Sequence, residues 1–149
     1  MIMRALTMTV VVPGFLIAAL LAGLFGTFLA DRDPPISIIS AEVLTPMVRP
    51  GDPFTMRFKV VRHRSCAIHA DRVLRDSAGG REILEDFDLK TDPGPIGNDS
   101  FLVHVTVPAA FKPGPAHYIT AAEFACNVVH KLWPIRAPVR EFTFEIVGR

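Results

Sequence analysis

The chain has 149 residues, half of them hydrophobic, with 16 basic and 15 acidic side chains giving a formal charge of +1. That balance supplies no global electrostatic reason to bind nucleic acid, and the length, less one apolar segment, suits a single compact domain. Beyond Asp33 the chain is polar and well mixed, so the hydrophobic excess belongs to the first thirty positions.

From Ala5 to Ala30 there is no charged side chain, and as a helix these 26 residues rise about 39 Å, enough to cross a ~30 Å hydrocarbon core with tilt. Pro13 is compatible with this, because membrane helices tolerate proline. A cleaved signal peptide has a shorter apolar core, and a cut after Ala30 would put bulky Phe28 where a small residue is required. Residues 1–30 therefore read as an uncleaved transmembrane signal anchor. Arg4 precedes the segment, while Asp31, Arg32 and Asp33 follow it. The positive-inside rule then gives a cytoplasmic N-terminus and a periplasmic or extracellular C-terminal domain. Gly14, Ala18, Ala22, Gly26 and Ala30 recur every four residues and form a ridge of small side chains. A second helix, from another copy or from a protein partner, packs closely on such a ridge.

Residues 31–35, with Pro34 and Pro35, read as a short stiff linker. After it the patterning has a period of two. Phe54, Met56, Phe58 and Val60 form one alternating set, Phe101, Val103, Val105 and Val107 a second, and Phe142, Phe144 and Ile146 a third. Further strands are expected over Ile36 to Leu44, Ala67 to Arg75, Arg81 to Leu89 and His117 to Cys126. Turn residues fall between them at Pro50-Gly51, Ser77 to Gly80, Pro93-Gly94-Pro95 and Pro113-Gly114. Seven strands without a long amphipathic helix predict an all-β antiparallel sandwich over residues 36–149.

The stretch Val107-Pro108, Phe111, Pro113-Gly114 and Tyr118, together with the two cysteines, resembles the immunoglobulin-like and fibronectin-type-III-like modules. The resemblance covers roughly Ile36 to Val147 and is architectural. It departs from antibody domains in two ways: Trp133 follows both cysteines, and Tyr118 lies eight residues before Cys126. A second set, Arg62, Arg64, Cys66, Arg72, Asp76 and Gly79 with Cys126-Asn127, His130 and Trp133-Pro134, resembles uncharacterised anchored proteins of tailed phages and prophages. That resemblance implies no activity.

Cys66 and Cys126 are the only cysteines, and an even pair in an exported domain reads first as a disulfide. Cys66 follows the second predicted strand and Cys126 closes the sixth, which a sandwich of this topology places at the same end. The alternative is a metal site of Cys66, Cys126, His69 and His130, since thiolate and imidazole suit zinc or copper. The local spacing H-x2-C-x2-H at His63, Cys66 and His69 does not converge on an extended strand, where Cys66 faces away from both histidines.

The end carrying the cysteines is also the end nearest the anchor. Arg62, His63, Arg64, His69, His130, Lys131 and Trp133 are therefore expected to face lipid headgroups or a partner's membrane-proximal surface. Ser65 beside His63, and Cys126 near His130, are the nucleophile–base pairs on offer, and neither has a nearby orienting carboxylate. No phosphate loop, HExxH or GxSxG is present. The expectation is a non-enzymatic, membrane-anchored interaction or assembly protein without a cofactor. The alternative is an anchored periplasmic metal-binding or redox module.

Overall fold

The computed structural model of the chain describes residues 2–148, with side chains from Val12 to Gly148. Met1 and Arg149, the outer bounds of the two predicted segments, lie outside the described residues, as does the side chain of Arg4. Helix α1, Ile2–Ala30, runs unbroken through Pro13. Its segment Val12–Ala30 has a mean hydropathy of 2.1 and is long and apolar enough to span a membrane.

Among the described residues ten strands follow: β1 Ile36–Val43, β2 Met47–Val48, β3 Pro53–Arg62, β4 Ala67–Asp76, β5 Arg81–Ile83, β6 Phe87–Leu89, β7 Gly97–Thr106, β8 Gly114–Ala125, β9 Ile135–Arg136 and β10 Arg140–Ile146. One sheet has the order β1-β3-β7; the larger has the order β2-β10-β8-β4-β5, with β6 also on β4 and β9 on β8. The expected count of seven is corrected in two ways. The predicted strand Arg81 to Leu89 is broken at Leu84 to Asp86, where Leu84 donates its N–H to the Arg72 carbonyl and packs against the core. The two-residue strands β2 and β9 are additions too short to show a periodic pattern. The purely antiparallel expectation is corrected as well, because β2 runs parallel to β10.

Alternation decides which faces meet. On β3, Phe54, Met56, Phe58 and Val60 are all buried, opposite Leu74 of β4, Ala116 and Tyr118 of β8, and Phe144 and Ile146 of β10. The rings of Phe54 and Phe144 stack across the two sheets with centroids 4.2 Å apart, an aromatic pairing that adds about 1 kcal/mol to the burial of its area. At the turn from β4 to β5, Gly79 has φ of 89°, a conformation that disfavours side chains with a Cβ. Asp76 secures the same turn, accepting N–H groups from Lys112, Gly80 and Ala78, and these hold its carboxyl below the usual range against its burial.

Candidate functional site

The last carbonyls of a helix have no partner inside it and must find one elsewhere. In this chain the segment between β8 and β9 supplies it. Asn127 folds that segment back: its Oδ1 accepts the N–H groups of Val129 at 2.9 Å and His130 at 3.1 Å, at the start of the 3-10 turn Val129–Lys131. Its Nδ2 donates to the carbonyl of Phe28, at 3.4 Å, in the last turn of α1. The fold-back carries His130 inward until it is only 1% exposed. His130 Nδ1 accepts the N–H of Cys126 at 3.2 Å, so the ring's single proton sits on Nε2 and is donated to the Asp31 carbonyl at 2.7 Å.

Three charged or aromatic side chains complete the junction. Arg64 grips both carboxylate oxygens of Asp31, at 2.8 and 2.6 Å, and donates to the Asp33 carbonyl at 2.6 Å. The Arg64 hydrogen bond holds the Asp31 carboxyl below its usual range, against the opposing effect of desolvation. Arg32 reaches the other way, donating to the Trp133 carbonyl at 2.8 Å while its guanidinium lies 3.5 Å over the Trp133 ring. His63 donates its backbone N–H to Pro35, and its ring pairs with the Ser37 hydroxyl at 2.8 Å. The short linker, residues 31–35, is thus bonded to the domain through Asp31, Asp33 and Pro35.

Cys66 and Cys126 form a disulfide, with Cα atoms 4.5 Å apart. Ala67 and Ala125 are register partners on β4 and β8, so the bridge extends that ladder by one step within a single sheet. Closing a loop of 60 residues, it stabilises the fold by about 4 kcal/mol on the chain-entropy estimate. It also fixes the start of the segment that holds the helix. The sulfurs are committed to each other and both ring nitrogens of His130 have polar partners, so the alternative metal set of Cys66, Cys126, His69 and His130 is not assembled. The nucleophile–base pairs are not assembled either: His63 meets Ser37 instead of Ser65, whose hydroxyl donates to the Asp92 carbonyl, and Cys126 is oxidised.

Two members of the expected membrane-facing group are not surface residues. His130 is one and Arg62 the other, at 6% exposure. Arg62 forms ion pairs with buried Asp92 and, at 2.9 Å, with Asp99. These pairs pin the crossover from β6 to β7, whose Asp92 N–H is also donated to the Cys66 carbonyl. A Cβ at Gly94 would collide with the Arg62 guanidinium, which explains the glycine between two prolines. His63 and Lys131 are exposed, Arg64 is half-buried at the junction, and Trp133 is 58% exposed.

His69 lies on the outer face of β4 beside its register partner Asp88, at 2.7 Å, with Asp71 at 3.4 Å. The hydrogen bond to Asp88 pushes its imidazole up. The ligand atoms of His69, Asp71 and Asp86 lie within 4.8 Å of one another, on an exposed face. The helix residues Gly14, Ala18, Ala22, Gly26 and Ala30 are all exposed, and a Cβ at Gly14 or Gly26 would meet no other part of the chain.

Asp92 was not singled out by the sequence patterns, and Asn127, Asp31 and Arg32 entered them only through a resemblance or a charge count, without a role at the junction. Asn127 carried one usable signal, since Asn is a preferred residue at the start of a helical turn.

The sequence matches no protein-family model, and no curated protein is similar to it. Solved structures that share parts of its shape include the following three. The alkylpurine DNA glycosylase AlkC of Pseudomonas fluorescens aligns at 12% identity and a TM-score of 0.45, over 78% of this chain and 31% of its own. The sporulation control protein Spo0M of Bacillus subtilis aligns at 10% identity and a TM-score of 0.41, over 76% of this chain and 49% of its own. A late embryogenesis abundant protein aligns at 16% identity and a TM-score of 0.47, over 93% of this chain and 87% of its own. The chain thus spans about a third of the first and about half of the second. At these identities and TM-scores none bears on function.

Proposed function

We propose that this is a single-pass membrane protein with its N-terminus in the cytoplasm. It holds an immunoglobulin-like sandwich in the periplasm or extracellular space and works as a non-enzymatic interaction or assembly module for a protein partner. The observation that carries the reading is the junction: a disulfide-stapled segment meets the backbone of Phe28 and Asp31, and Arg64 clamps Asp31. A domain that only needed to be near a membrane could hang on a loose linker, whereas one docked on its own helix presents its faces at a set height and angle.

The immunoglobulin-like reading is supported by the partition of strands. The first, second and fifth predicted strands share one sheet, and the third, sixth and seventh share the other, as in that architecture. The partner reading is supported by the ridge of Gly14, Ala18, Ala22, Gly26 and Ala30, which no other described residue covers.

The test has two parts. Cells expressing the full chain with a C-terminal reporter should show the reporter outside the cytoplasm and the protein resistant to alkaline extraction. Crosslinking in intact membranes, followed by mild-detergent purification, should then recover a second protein or a second copy. A cytoplasmic reporter, or monomer alone after crosslinking, would overturn the reading.

A further inference from the structure

The segment that grips the helix also carries a group of exposed apolar side chains. Val128 is 63% exposed, Leu132 is 91% exposed and Trp133 is 58% exposed. They lie on either side of the 3-10 turn, within seven residues of Asn127, and Asn127 itself is bonded to the carbonyl of Phe28. Phe28 is two residues inside the apolar span Val12–Ala30. The group is therefore held beside the last turn of the span, at the depth where hydrocarbon gives way to headgroups if α1 crosses a bilayer.

Its composition suits that boundary. Leu132 and Val128 have no polar atoms in their side chains. Trp133 is the residue type enriched at membrane interfaces, and the guanidinium of Arg32 lies over its ring. Lys131, exposed between His130 and Leu132, can extend its ammonium toward headgroups. Amphipathic helices at this boundary bury their apolar faces ~5–10 Å into it, which sets the scale for a depth that apolar side chains occupy there. Leaving Leu132 and Val128 in water instead would forgo the burial of two large side chains that the fold itself never covers.

We propose that the Val128–Trp133 turn is a second membrane contact, in which Val128, Leu132 and Trp133 enter the interfacial layer of the bilayer beside α1 and seat the sandwich on the lipid surface. This rests on α1 spanning the membrane. The occupant is lipid because the turn is bonded to the end of the span, so any bilayer around α1 reaches these side chains before a soluble partner does.

Trp133 is the only tryptophan in the chain, so its emission reports this turn alone. The experiment uses the full-length protein in phosphatidylcholine vesicles, with and without bromine on the acyl chains near the glycerol end, and alkaline extraction of the same vesicles. The expected result is blue-shifted Trp133 emission quenched by the brominated lipid. Val128→Ser/Leu132→Ser should keep resistance to extraction while retaining about half or less of the quenching. Ile83→Ser, an exposed apolar residue paired with Val73 toward the other end of β4, should change neither. Protein that resists extraction but shows no quenching overturns the lipid contact and leaves the anchor standing. Protein that is extracted yet quenched while bound overturns the spanning helix and, with it, a contact seated beside that helix. Loss of both overturns both.

Discussion

His130 Nε2 lies 2.7 Å from the carbonyl oxygen of Asp31, across 99 residues of sequence, and its other ring nitrogen takes the N–H of Cys126. One imidazole therefore joins the end of the helix to the end of the disulfide. His130→Ala leaves both backbone groups without a partner and opens a cavity at a site that is almost fully buried. The expected loss is about 2–4 kcal/mol of domain stability, read from urea unfolding of the full chain in detergent. A loss below about 0.5 kcal/mol, the usual range for surface changes, would show that this residue does not hold the junction.

Arg62 is the buried charge to test. Arg62→Met removes the cation and strands Asp92 in the interior, with an expected cost of about 3–5 kcal/mol. Adding Asp92→Asn to that variant should recover a substantial part of it, because an amide needs no counter-charge. Arg62→Lys should remain destabilised, since one ammonium does not reproduce the planar fork that serves Asp92 and Asp99 together. Full rescue by lysine would contradict the geometry described for that pair.

Reduction supplies a third measurement. The oxidised chain should run faster than the reduced one on a non-reducing gel, and Cys66→Ala/Cys126→Ala should unfold at lower urea, losing about 4 kcal/mol for its 60-residue loop. The same variant should show faster amide exchange over residues 126–134 than over β3. Equal protection of the two regions would mean that the bridge does not steady the segment.

Acid should weaken the fold through two carboxylates. Asp76 and Asp31 both titrate below their usual range when folded. Their stabilising contribution is complete above the ordinary carboxylate value of about 3.9, and it is lost as pH falls from there through the folded pKa values. Asp76→Asn should lower stability at neutral pH and flatten the decline below about pH 4. His69 has the opposite sign: its raised pKa stabilises below about 6.5, and that contribution disappears as pH rises through the folded value. An unchanged acid slope in Asp76→Asn would remove Asp76 from the account.

The ridge on α1 makes a fifth prediction, about association. Ala22→Leu/Gly26→Leu fills it, and should reduce crosslinked product in membranes by about tenfold if close backbone approach contributes ~1.4 kcal/mol. Undiminished crosslinking would move the partner contact from the helix to the sandwich.

Much of the architecture was legible because it is local. Phe54, Met56, Phe58 and Val60 alternate without interruption, and Phe142, Phe144 and Ile146 do the same, so period and burial agree. The predicted disulfide was also legible, since two cysteines at matching strand ends have one possible pairing. The fates of Arg62 and His130 were not. Each looked like a surface cation or a headgroup contact, and each is buried because partners 30 to 99 residues distant close over it. Gly94 shows the same limit: it reads as a turn residue between prolines, while its contact with Arg62 is visible only in three dimensions.

The order in which the junction residues occur along the chain has a consequence for biosynthesis. The helix end is made first, and Asn127 and His130, which engage its backbone, follow 99 residues after their partners Phe28 and Asp31. A nascent chain anchored as proposed would therefore be free to swivel until β8 is complete and Cys126 has met Cys66. Its final pose would be acquired only then, and, on the exported topology proposed above, where thiols can be oxidised.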